Sequence, residues 1–275
     1  MPEGDAIFRT ARTLHRALAG HEVVKFQSVL PALTRVHEDA PITGRTVESV
    51  SAAGKHLLMR FSGDLILRTH MRMNGSWHIY RADEQWRRPR RDMRVLVATR
   101  EFQAIGFNLP VAQFLHARDL NRQDDLRFLG PDLLGSSFDS AEAVRRFRER
   151  PDSPIADALI NQRIVAGAGN VYKSEVLFLC GINPLVPVGS LSDDELTKIL
   201  QTAQRYLRVN VDAPKGGIVT YRGYRKTTSR RDQGDGLYVY GRARLPCRKC
   251  GTPIEVSAQG PNARLTYWCP SCQKR

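Results

Sequence analysis

The 275-residue chain is poor in several things at once. It has no apolar run approaching the roughly 20 residues that a membrane-spanning helix needs. Its first residues contain no apolar core, because Glu3, Asp5, Arg9 and Arg12 interrupt one, so they do not read as a secretory leader. These absences exclude a helical membrane protein and point to a soluble intracellular chain. Acidic residues are also scarce. Only 28 Asp and Glu stand against 42 Lys and Arg, a net charge of +14. A surplus of one sign on this scale points to a polyanionic partner, most economically nucleic acid. The surplus is clustered, with Arg222, Arg225, Lys226, Arg230, Arg231, Arg242 and Arg244 in one stretch and Arg87, Arg88, Arg90 and Arg91 around Pro89 in another.

Cysteine is rare and uneven. Cys180 stands alone in an apolar helical run and reads as a small buried hydrophobe. The other four fall in the last thirty residues as Cys247-Arg-Lys-Cys250 and Cys269-Pro-Ser-Cys272, with eighteen residues between the pairs. Disulfides are disfavoured inside a cell. Two C-x2-C knuckles with a hairpin-length gap suit a closed, tetrahedral structural zinc. Such a site leaves no open position for catalysis, so its task is to hold the intervening hairpin. That hairpin carries Arg264, either a bidentate phosphate clamp or a solvated arginine.

What the chain does contain falls into two halves. At the start, Ile7, Ala11, Leu14 and Leu18 have helical spacing and Gly20 ends the run. Pro2 lies just before this helix. Removal of Met1 leaves Pro2 with a secondary amine, and a terminal amine titrates near pH ~8. Unprotonated, it can attack an electrophilic carbon to give a Schiff base, with Glu3 beside it to move protons. From residue 23 to 115, short β-branched runs at 23–26, 46–50, 57–61, 65–68 and 94–98 read as strands, with a turn at Ser62-Gly63-Asp64. This predicts a β-sandwich or barrel. Residues 81–92 read as a long basic loop. From Ser140 helical patterns take over at 141–148, 155–164, 171–180 and 193–209. Between two of them lies the small-residue turn Val165-Ala166-Gly167-Ala168-Gly169-Asn170. Asn170 opens a helix, where it serves as a cap, a phosphate contact or both. Lys55, between two strands, is a phosphate contact or a surface turn lysine. In His70-Met71-Arg72-Met73-Asn74-Gly75, Met71 reads as core and Met73 as a residue able to wedge into a base stack.

Taken together, these segments resemble the formamidopyrimidine-DNA glycosylase and endonuclease VIII family of base-excision repair enzymes. The carriers are Met1-Pro2-Glu3-Gly4, Gly54-Lys55-His56-Leu57, His70 to Gly75, Asn161-Gln162, Gly167 to Tyr172, Tyr240-Gly241-Arg242 and the four-cysteine finger. The resemblance implies an α+β chain of two domains: an N-terminal β-sandwich with flanking helices, and a C-terminal helix-two-turn-helix domain with a zinc-finger β-hairpin. The expected segments are 1–120 for the catalytic domain, 121–235 for linker and helix-two-turn-helix, and 236–275 for the finger.

The implied chemistry is base excision followed by strand cleavage. Pro2 attacks C1′ of a damaged nucleotide, Glu3 transfers protons at the sugar, and Lys55 holds a phosphate and assists. The damaged base leaves the stack first. Met73 fills the gap. His70, Asn170, Glu175 and Arg264 contact DNA around the lesion, and one zinc sits on Cys247, Cys250, Cys269 and Cys272. The expected partner is duplex DNA with damaged bases or abasic sites, bound by a monomer in a bacterium-like cytoplasm or nucleoid.

The Met-Pro-Glu-Gly start looks more like endonuclease VIII. Ala6 stands where the family often has glutamate. Residues 101–108 lack the arginine-phenylalanine pair of the 8-oxoguanine branch. Oxidised pyrimidines are therefore the expected lesions, with a loop from Thr220 to Arg231 placed to cover the flipped base. The alternatives are an 8-oxoguanine or formamidopyrimidine glycosylase, a catalytically silent DNA-binding protein of the same fold, and a zinc-ribbon RNA-binding protein. Each phosphate contact releases counterions, so affinity for lesion DNA is expected to fall at least about tenfold between 50 and 200 mM salt. A flat titration by fluorescence anisotropy would contradict the electrostatic reading.

Overall fold

The computed structural model describes residues 2–213, 218–221, 235–260 and 263–274. The chain divides into two compact units, Met1–Phe128 and Leu129–Arg275. The expected flexible segment at Gly216-Gly217, most of the expected loop over the lesion, and the basic residues Arg222, Arg225, Lys226, Arg230 and Arg231 lie outside the described residues.

Unit 1 runs α1 (Gly4–Leu18), β1 (Lys25–Ser28), α2 (Pro31–Asp39), β2 (Val47–Ala53), β3 (His56–Phe61), β4 (Leu65–His70), β5 (Ser76–Arg81), β6 (Met93–Ala98), β7 (Phe102–Phe107), β8 (Val111–His116) and α3 (Asp124–Arg127). Two four-stranded antiparallel sheets form, in the orders β1-β6-β7-β5 and β2-β3-β4-β8. Their inner faces and one stripe of α1 share a single core. Ile7, Ala11, Leu14 and Leu18 of the helix meet Val47, Leu57, Met59, Phe61 and Leu67 of one sheet and Val95, Val97 and Ala104 of the other. This is the expected sandwich.

The outer face of the β7 sheet has its own apolar cluster of Tyr80, Leu96, Ile105 and Phe107, packed by Trp86. The basic 81–92 loop thus covers a sheet face as well as carrying charge. Several elements were not legible. Helix α2 buries only Leu33, so its periodicity is faint. Strand β8 has no fully buried residue and lacks the alternation that marks a half-buried strand. Residues 102–107, compared above with a DNA-reading loop, form strand β7.

Unit 2 contains α4 (Ser140–Arg148), α5 (Ile155–Ile160), α6 (Asn170–Cys180) and α7 (Asp193–Val211), followed by the hairpin β9 (Glu255–Gln259) and β10 (Arg264–Trp268). Helix α6 lies inside the unit, with Tyr172, Val176, Leu177 and Phe178 buried together with Lys173, Ser174 and Glu175. Helix α7 begins at a reciprocal capping box between Ser192 and Glu195. A second small core joins Phe178 of α6 to Val239, Cys247, Ile254 and Cys269.

The turn after β4 shows how sequence fixes a functional geometry. Met71 is buried in the sandwich core, while Met73, two residues on, is 65% exposed. Gly75 donates its N–H to the Met71 carbonyl at 2.8 Å. A Cβ at Gly75 would lie 2.6 Å from that oxygen and 2.9 Å from the Met71 Cα. Gly75→Ala is therefore expected to destabilise unit 1 by about 1–3 kcal/mol and to displace Met73. Urea unfolding checks the first effect, and a wild-type midpoint would contradict it.

Candidate active site and nucleic-acid interface

In unit 1 the candidate nucleophile lies at the mouth of α1. Pro2 precedes the N-cap Glu3, which is 1% exposed and whose carbonyl accepts the first helical bond from Ile7 at 3.1 Å. The positive end of the helix dipole faces this position. Asp5, in the first turn, was not singled out from the sequence. It is buried, 3.7 Å from Arg9, and its carboxylate oxygens have no hydrogen-bond partner among the described residues. Burial pushes its pKa up against the pull of Arg9.

Lys55 occupies the two-residue turn between β2 and β3, where Ala53 pairs with His56 and Gly54 has φ +56°. It is largely buried. His56 and His70 face each other across β3 and β4, with ring centroids 4.8 Å apart. Both are held below the ordinary histidine pKa. Burial is the main cause for each, followed by Arg68 for His56 and by Lys55 for His70, and the His56 value falls to about 3. Lys55, His70 and the Met73 turn are thus brought to one end of the sheet. A cleft of about 810 Å³ beside Met73 is lined by Arg72, Asn74, Arg88, Arg94 and Asn108.

Unit 2 collects the other candidates around the start of α6. The Gln162 side chain donates to the carbonyls of Ile160 and Ala168 and accepts the N–H of Gly167, each at 3.0 Å. It thereby locks the small-residue turn, where Gly167 has φ +103°. Asn170 donates from Nδ2 to the Leu265 carbonyl of β10 at 2.8 Å. Lys173, one turn on, is fully buried and donates from Nζ to Thr266 Oγ1 at 2.6 Å. Tyr267 N–H donates to Ser174 Oγ at 3.3 Å. Positions 170, 173 and 174 on one helix face therefore hold three successive residues of the hairpin. Arg264 opens that strand opposite Gln259 and lines a cleft of about 480 Å³ with Arg150, Asp157, Asn161 and Gln162. The sequence pointed to Asn170 and Arg264 but not to Lys173, whose partner lies more than ninety residues away.

Glu175 is not at the surface. It is 0% exposed, and its carboxylate accepts from the backbone N–H groups of Tyr238, Val239 and Tyr240, each at 2.8 Å, and from the Thr220 hydroxyl. Burial pushes its pKa up, while these four donors pull it down. Arg242 ties the next turn through the carbonyls of Tyr238 and Pro246.

The four Sγ atoms of Cys247, Cys250, Cys269 and Cys272 lie within 4.8 Å of one another. Individual separations are 3.9, 3.4 and 3.4 Å. Tetrahedral Zn–S bonds of about 2.3 Å place sulfurs about 3.8 Å apart. The donor set and its spacing fit a zinc ion.

Residues 1–110 match the formamidopyrimidine-DNA glycosylase N-terminal domain, residues 129–222 its H2TH domain, and residues 244–275 the zinc finger found in FPG and IleRS. The probable endonuclease 8 2 of Streptomyces coelicolor is 41% identical over 99% of this chain and 94% of its own. The chain belongs to the formamidopyrimidine-DNA glycosylase and endonuclease 8 family. Another member, the DNA-(apurinic or apyrimidinic site) lyase Nei2 of Mycolicibacterium smegmatis, is 37% identical over 99% of both chains. The formamidopyrimidine-DNA glycosylase of Herpetosiphon aurantiacus is 30% identical over 99% of this chain and all of its own. The fold also matches Lactococcus lactis formamidopyrimidine-DNA glycosylase bound to abasic-site DNA, with a TM-score of 0.81 over the whole of both chains at 22% identity.

Removing the Glu175 carboxylate strands three backbone amides in a dry interior, and each orphaned donor costs about 1–3 kcal/mol. Glu175→Ala is expected to destabilise unit 2 by roughly 3 kcal/mol or more. A shift below about 1 kcal/mol in chemical unfolding would contradict the assigned role.

Proposed function

We propose that the chain is a bifunctional DNA glycosylase and abasic-site lyase that acts on oxidised bases, chiefly pyrimidines. The observation that carries this reading is the position of Pro2. Pro2 stands at the dipole-positive end of α1, beside the buried Glu3, in a chain of this family, and loss of Met1 would make its nitrogen a free secondary amine. In the reaction the Pro2 nitrogen forms a bond to C1′ and the C1′–base bond breaks. Glu3 passes a proton at the sugar ring, which opens to leave a Schiff base. Loss of the 3′ and then the 5′ phosphate by β- and δ-elimination cuts the strand and returns the amine.

Lys55 neutralises a phosphate at the lesion. His70 accepts the Arg72 N–H on Nδ1 at 3.1 Å. Its neutral ring therefore offers Nε2–H to the same backbone. Met73 enters the space left by the extruded base. Asn170 and Arg264 grip the backbone at the other unit. Glu175 acts without touching DNA, by fixing the segment from Tyr238 to Tyr240. One structural zinc on the four cysteines keeps the hairpin rigid, and the working partner is damaged duplex DNA. The preference for pyrimidines draws on the Met-Pro-Glu-Gly start and on the absence of an arginine-phenylalanine pair at 101–108.

Pro2→Gly exchanges a secondary amine for a primary one of different placement. It is expected to slow excision of an oxidised pyrimidine at least tenfold, with lesion-DNA affinity retained. Wild-type turnover would remove Pro2 from the mechanism. Arg264→Ala is expected to weaken binding and to lower the salt slope by about one, with zinc content unchanged. Loss of zinc in this variant would make the arginine structural.

A further inference from the structure

Unit 1 contains a buried polar cluster that the reaction described above does not use directly. Arg68, on β4, is 4% exposed. Its Nε donates to Nδ1 of His56 at 3.3 Å, and one Nη donates to Asp125 of α3 at 2.7 Å. The second Nη reaches Gln123 Oε1 at 3.5 Å, an oxygen that also accepts from Gln113 at 3.1 Å. Asp125 itself is largely exposed, so the chain of contacts runs from solvent into the sheet. His56 packs edge-to-face on His70, and His70 accepts the Arg72 N–H at the start of the Met73 turn. Lys55 is the residue before His56.

Each histidine thus spends Nδ1 as an acceptor. A neutral ring in that role carries its proton on Nε2. A proton on Nδ1 of His56 would point at the Arg68 guanidinium.

We propose that Arg68 is a positioning residue for the lyase reaction: anchored by Asp125, it holds His56 in its Nε2–H form against His70 and so fixes Lys55 on one side and the Met73 turn on the other. The inference rests on the roles given above to Lys55, His70 and Met73. Around His56, Arg68 and His70 oppose protonation and only Asp125 favours it. Around His70, Lys55, Arg72 and Arg68 oppose it and Asp125 again favours it. Both rings are therefore harder to protonate than a free histidine, and protonation that would set a second cation beside Lys55 is opposed at each. A guanidinium that merely tied two strands together would leave the pH dependence of the reaction untouched.

The test uses the full-length protein. Long-range ¹⁵N–¹H correlation of its histidines, without DNA, is expected to show His56 and His70 as Nε2–H tautomers, with His56 failing to titrate between pH 7.5 and 5. In Arg68→Gln, His56 is expected to titrate at higher pH. Cleavage of abasic-site duplex at pH 5.5 relative to pH 7.5 is expected to drop at least threefold more than in wild type. Arg68→Lys, which keeps the cation, restores most of the profile. Asp125→Asn alters an exposed side chain and provides a second route should Arg68→Gln not fold. It is expected to lower the exchange protection of Arg68 Nε–H. A wild-type His56 protonated on Nδ1, a folded Arg68→Gln whose pH profile parallels wild type, or unchanged Arg68 Nε–H protection in Asp125→Asn would each overturn the proposal. The histidine measurements involve no DNA and stand apart from the chemistry of Pro2.

Discussion

A charged group placed where water cannot reach must be satisfied by protein, and α6 does this twice on opposite signs. Its Glu175 carboxylate takes three backbone amides and a hydroxyl. Its Lys173 ammonium is buried against Thr266. Removing either partner would leave an uncompensated polar group in a dry interior, which is far more costly than the net gain of forming the contact. The two groups therefore specify where the Tyr238–Tyr240 segment and the β10 strand must lie relative to α6. The cysteine cluster and the Asn170 contact to Leu265 fix the same hairpin from other directions. Arg264 opens a strand whose pose is determined several times over, which suits the phosphate contact proposed for it.

Unit 1 reaches its chemistry by a similar route. The sandwich core seats α1, whose dipole-positive end lies just after Pro2 and beside the buried Glu3. The β3–β4 ladder then places Lys55, His56, Arg68 and His70 at one end of a sheet. Burial lowers the pKa of both histidines. The positive field at this end of the sheet is set mainly by Lys55, Arg68 and Arg72, which oppose protonation of the histidines.

Much of this was legible in the sequence where the signal is local. Helix α1 shows in the spacing of four apolar residues, the metal site in the cysteine spacing, and the β3–β4 turn in Ser62-Gly63-Asp64, where Gly63 and Asp64 both have positive φ. The split between Met71 and Met73 followed from reading one as core. What was hidden depends on partners far along the chain. Nothing near Arg68 announces Asp125, nothing near Lys173 announces Thr266, and Glu175, expected among the DNA contacts, is instead enclosed by the amides of residues 238–240. Strand β8 and helix α2 bury too little for their periodicity to stand out.

The central claim is covalent and can be tested as such. Borohydride reduction of the protein on a duplex with one abasic site, followed by peptide mapping of the adduct, reads out the attacking nitrogen directly. The account predicts a single adduct on Pro2 of a chain that has lost Met1. An adduct on a lysine, or none from Met1-free protein that binds the same duplex, would contradict it.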